Sequence, residues 1–123
     1  MTVLLVLVGG AVGAPLRYLT DLFVQSRHDS VFPWGTFAVN VAGSLVLGAT
    51  AGAVTTADGP TWVLTLVGTG FCGALTTFST FGYETVRLVE DGSLLEAALN
   101  VSASLVAGMT ACVAGWALAA ALL

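Results

Sequence analysis

Four long stretches of mostly apolar residues fill nearly the whole chain, and only short polar breaks separate them. A helix that crosses the roughly 30 Å hydrocarbon core of a bilayer needs about 20 such residues. The stretches fall at about residues 3–24, 33–55, 61–87 and 94–123. Gln25 to Ser30 forms the first break. Asp58-Gly59-Pro60 is a turn signal, and Pro60 suits the start of the helix that follows. Glu90-Asp91-Gly92-Ser93 closes the third stretch, with Ser93 placed to cap the fourth ahead of Glu96. The pattern predicts an all-α integral membrane protein of one domain over residues 1–123, with four transmembrane helices and no soluble portion. Short connections make sequence neighbours antiparallel neighbours in space. The N-terminus lacks the positive n-region of a signal peptide, so it reads as the first span itself.

Composition agrees. Only 8% of residues are charged, against about 25% in a soluble domain. The mean hydropathy of +0.98 points to lipid as the natural solvent. There is no Lys, and the net charge is -4. Nucleic acid is therefore excluded as a partner, because phosphate binding needs clustered Lys and Arg. Cys72 and Cys112 lie in apolar runs and read as small core residues, without metal-site spacing.

The carboxylates Asp21, Asp29, Asp58, Glu84, Glu90, Asp91 and Glu96 fall near predicted helix ends or in loops, and His28 falls in a loop. No carboxylate is expected at mid-membrane, where a proton-coupled transporter usually carries one. No Ser-His-Asp, Cys-His or metal-ligand constellation is available, which argues against an enzyme.

The third stretch, as one straight helix, would be about 40 Å long. It must tilt, protrude or break. Its centre crowds glycines, hydroxyls and aromatics from Gly70 to Gly82. A break at Gly73 to Thr77 and a continuous helix with back-bonded Thr and Ser are both compatible with this pattern. In the second stretch Asn40 shares a face with Thr36, Gly43, Ser44 and Gly48; in the fourth, Asn100, Ser104 and Gly108 recur at helical spacing, near Ala97, Ala111 and Gly115. Each stripe reads either as a packing seam glued by a hydrogen bond or as donors along a narrow aqueous path. Phe78 and Phe81 fall on one side of a helix. They pack a core, or they turn their partly positive ring edges toward a small anion. Arg17 lies roughly 21 Å along the first helix. It either snorkels to the interface or offers a charge at a vestibule.

Three blocks resemble the signatures of the Fluc-type (CrcB-type) fluoride channels: Gly9-Gly10-Ala11-Val12-Gly13-Ala14-Pro15-Leu16-Arg17-Tyr18, the run Gly35 to Gly48 with Asn40, and Gly70-Phe71-Cys72-Gly73-Ala74-Leu75-Thr76-Thr77-Phe78-Ser79-Thr80-Phe81. The resemblance covers nearly the whole chain. It implies a passive fluoride-selective channel in the cell membrane that exports cytoplasmic fluoride. It implies an antiparallel dual-topology dimer with a third helix broken at mid-membrane. It also implies a structural Na+ at the dimer centre, held by the carbonyls of Gly73 and Thr76. Asn40, Phe78, Phe81, Ser79, Thr80, Ser104 and Asn100 would line the fluoride path, with Arg17 at a vestibule. Asn100 stands where some members carry Tyr, and Gly108 where some carry a hydroxyl.

Loops one and three share a membrane side and hold Arg27 and Arg87, a weak orientation bias. That bias admits an oppositely oriented paralogue as partner, with the homodimer as default. Two other classes fit the size and hydropathy: a small multidrug-type proton-coupled exporter and a non-transporting assembly subunit. The exporter would need a carboxylate inside the first helix, and Asp21 lies near its end.

Overall fold

The structure, a computed structural model, describes residues 1–27 and 31–123. His28, read as a solvated loop residue, lies outside the described residues. Among them, four helices are long and apolar enough to cross a membrane: Thr2–Arg27, Trp34–Thr56, Thr61–Glu90 and Leu94–Leu122.

Helix α1 (Thr2–Arg27) runs into the polar break that begins at Gln25. Its polar residues find partners one turn back: Gln25 Nε2 donates to Asp21 Oδ1 at 3.0 Å, and Ser26 Oγ to the Phe23 carbonyl at 2.7 Å. Helix α2 (Trp34–Thr56) follows. The third span is not uniform. A turn of α-helix, α3 (Thr61–Val63), leads into a π-helical segment, Leu64–Cys72, and then α4 (Gly73–Leu75). Thr76 (φ −83°, ψ 161°) and Thr77 (φ −151°, ψ 120°) are extended, and α5 (Phe78–Glu90) resumes the helix. The hydroxyl back-bond expected of a continuous helix is nevertheless made, from Thr76 Oγ1 to the Cys72 carbonyl at 2.8 Å. Helix α6 (Leu94–Leu122) completes the chain.

The turn before α6 closes through Gly92, at φ +80°, a backbone region that disfavours side chains. The Ser93 amide donates to the Leu88 carbonyl and the Gly92 amide to the Val89 carbonyl, which satisfies the last carbonyls of α5. Ser93 does occupy the N-cap position of α6, but its hydroxyl makes no capping bond. Its backbone is already committed to closing the preceding helix.

Lipid offers no hydrophobic drive for helices to associate, so close packing has to supply it. The most extensive contact is α2 on α6, followed by α1 on the π segment. Both seams are glycine-lined. A methyl group at Gly48 would strike the Cys112 carbonyl, and one at Gly13 the Phe71 carbonyl. Helix α5 is different. Leu88 is its one buried residue, and it leans mainly on α6.

Candidate functional site

The site begins at the two extended residues of the third span. A peptide that leaves a helix inside an apolar body must find other hydrogen-bond partners. Asn40, on α2, supplies both. Its Nδ2 donates to the Thr77 carbonyl at 3.0 Å, and its Oδ1 accepts from the Thr77 amide at 2.8 Å. Thr77 is 9% exposed, so the pairing replaces water that cannot reach it. Each buried group left unpaired would cost about 1–3 kcal/mol. Thr77 then starts α5: its Oγ1 accepts from the Thr80 amide at 3.1 Å and donates to Thr80 Oγ1 at 3.0 Å. An N-cap of this kind is worth about 1 kcal/mol.

Two carbonyls lose their ordinary helical donors through this arrangement. The Thr77 amide, four residues beyond Gly73, is turned to Asn40. The Thr80 amide, four residues beyond Thr76, is turned to Thr77. Nothing lies within 4 Å of where a Cβ of Gly73 would sit. Arg17 Nη1 reaches the Thr76 carbonyl at 3.4 Å. Arg17 thus turns inward, toward the interruption, rather than out along the helix. With Tyr18, Asp21, Thr36, Thr77 and Thr80 it lines a cavity of about 230 Å³.

Around the start of α5 the surface mixes rings and hydroxyls. Phe78 is 82% exposed. Ser79 and Thr80 are exposed and Phe81 is half-buried. The Phe78 and Phe81 rings stand 5.7 Å apart at 44°. The two residues on α6 have other company. Asn100 is 1% exposed. Its Nδ2 donates to Thr85 Oγ1 at 2.8 Å, and its Oδ1 accepts from Ser104 Oγ at 3.3 Å.

Asn40, Arg17 and residues 76–80 therefore come together, whereas Asn100 and Ser104 join Thr85 on α5. The small residues of the α2 and α6 stripes include the packing seam: a Cβ added at Gly48 or Gly115 would strike the opposing backbone, and one at Gly108 would lie 3.6 Å from Ser44 Oγ. Sequence reasoning missed Thr77 and Thr85. The spacing Thr77-Phe78-Ser79-Thr80 carries a capping signal, and Thr85 stands one helical turn after Phe81. It also set Glu84 aside as a helix-end residue. In the structure Glu84 turns Oε1 into a buried position without a hydrogen-bond partner among the described residues. No group of three or more His, Cys, Asp or Glu that could hold a metal occurs among the described residues.

Residues 4–116 match the family described as "CrcB-like protein, Camphor Resistance (CrcB)". The chain belongs to this CrcB-like family. Among its relatives, it is 59% identical to "Fluoride-specific ion channel FluC 1" of Frankia casuarinae, over 97% of this chain and 96% of that protein. It is 57% identical to the protein of the same name from Streptomyces avermitilis, over 94% and 93% of the two chains. It is 49% identical to "Fluoride-specific ion channel FluC 2" of Rhodococcus jostii, over 90% and 92%. Like the family it belongs to, this CrcB-like chain is a multi-pass membrane protein, with four helices suited to cross the bilayer.

Proposed function

We propose that this chain is a fluoride-selective ion channel, not an enzyme, that lets cytoplasmic fluoride leave the cell passively. The names of its relatives support the ion. The observation that carries the mechanism is the uncharged junction of Asn40 with Thr77 beside the Phe78–Phe81 ring pair. A small anion needs donors to replace its water, yet must be released again. Amide and hydroxyl donors and aromatic ring edges attract it without a full charge that would trap it. Asn40, Phe78, Phe81, Ser79 and Thr80 form the path, and Arg17 draws the anion toward its mouth. Asn100 and Ser104 belong to the same apparatus, joined to it through α5. Neutral HF crosses lipid, dissociates inside, and fluoride leaves down a membrane potential worth roughly 2.3 kcal/mol per charge per 100 mV.

The path is completed by a second copy. Phe78, Ser79 and Thr80 lie on the outside of one chain, where hydroxyls facing lipid would be poorly solvated. An antiparallel dual-topology homodimer brings two such surfaces together, with the interruption of the third span at mid-membrane. The Gly73 carbonyl, deprived of its helical donor, and the Thr76 carbonyl, which accepts from Arg17 Nη1 but keeps a second lone pair, are the groups that would hold a hard cation such as Na+. When bound there it would supply positive charge at the dimer centre. The Arg27 and Arg87 bias leaves an oppositely oriented paralogue as the alternative partner. Equal access of terminal tags from both sides, with active dimers of this chain alone, would remove that alternative.

The test is fluoride efflux from liposomes containing the purified chain, followed by electrode with chloride as control. Fast fluoride-selective efflux is expected, and its loss on Phe78→Ile combined with Phe81→Ile. Well-folded dimers that carry no fluoride would overturn the reading.

A further inference from the structure

Asn100 is the most deeply buried polar side chain among the described residues, at 1% exposure. Both ends of its amide are engaged inside its own chain. The direction of the bonds is fixed by proton count. The Thr85 hydroxyl has one proton, and it goes to the Phe81 carbonyl at 2.8 Å. Its lone pair is then free to accept from Asn100 Nδ2 at 2.8 Å. The result is a one-way relay from Ser104 to Asn100, to Thr85, and on to the backbone of Phe81. Such chains polarise one another and hold their members in a single arrangement.

The relay matters because α5 is otherwise loosely held. Its start is tied to α2 by the Asn40–Thr77 pairing, and beyond that only Leu88 is buried. Thr85 lies roughly 12 Å further along the helix axis. One tie leaves a short helix free to roll about its axis; a second, two turns on, removes that freedom. A roll of α5 would swing Phe78 and Phe81 together relative to Asn40.

We infer that Asn100, acting through Thr85, is a positioning residue for the Phe78–Phe81 ring pair and does not itself contact fluoride. This rests on the channel reading above.

The test measures fluoride current per channel in bilayers, alongside the yield of folded dimer, for the wild type, Thr85→Val, Thr85→Ser, Asn100→Leu and the double variant Asn100→Leu/Thr85→Val. Thr85→Val keeps the shape of the side chain and removes the relay. Its unitary current is expected to fall by up to about a hundredfold, the order that a misplacement of about 1 Å can cost. Thr85→Ser restores the hydroxyl and should restore the current. The double variant should be no worse than either single one, because both cut the same chain. Wild-type current in Thr85→Val overturns the inference. So does a double variant whose loss is the product of the two single losses, since Asn100 would then act on the ion independently. A fall in folded yield with unchanged unitary current also overturns it, leaving Asn100 a merely structural role. A wild-type chain that carries no fluoride overturns the channel reading, and this inference with it.

Discussion

Toward α6, helix α2 presents Gly48 and Gly52, and backbone meets backbone; toward the third span it presents Asn40, and a side-chain amide fills the space between two backbones. The partners explain the difference. Helix α6 satisfies its own peptides over its whole length, so closeness alone suffices there, and any side chain is an obstruction. At Thr77 the peptide has left the helix, and closeness without a donor and an acceptor would strand two polar groups. One helix thus carries a seam that needs absence and a joint that needs chemistry.

Substitutions at the seam and at the joint should separate these two demands. The largest effect on the folded state is expected from Gly48→Leu, whose side chain must displace the Cys112 carbonyl. Overpacking of this kind costs about 3 kcal/mol, and size-exclusion profiles in detergent should show little monodisperse protein. At the joint, Asn40→Asp keeps the acceptor for the Thr77 amide and removes the donor to its carbonyl. Folding should weaken by about 1–2 kcal/mol, whereas fluoride efflux should fall roughly a hundredfold, as when a positioned donor is replaced near an anion. If efflux and folding fall in proportion in this variant, the joint is only another seam. The smallest effect is expected from Thr77→Val, which leaves the pairing with Asn40 and removes the cap on Thr80. Thermal unfolding should report a loss of about 1 kcal/mol, with efflux above that of Asn40→Asp.

The four apolar helices were legible because length and hydropathy are properties of the chain alone. The glycine seam was half legible. The spacing of Gly43 and Gly48 with Asn40 marked a face, but not which part of it touched α6 and which the third span. At Thr76 the two readings of the third stretch overlap, since the residue makes the back-bond of an unbroken helix and is also where the backbone leaves it. Local pattern has no means of weighing these against each other. The decision lies with Asn40, 37 residues away in sequence. Asn100 was half legible for the same reason: its spacing marked Ser104, which does bond it, but not Thr85 on α5. The π-helical winding from Leu64 to Cys72 left no mark in residue type that could have been read.

The joint of Asn40 with Thr77 and Thr80 contains no group that gains or loses a proton as pH changes. Fluoride reaches the cytoplasm as HF, and HF is most abundant when the surroundings turn acid. A carboxylate or an imidazole at this position would rearrange its hydrogen bonds under that stress. An amide and two hydroxyls keep the same donors and acceptors throughout, so the joint holds its shape in the acid conditions under which export is most needed.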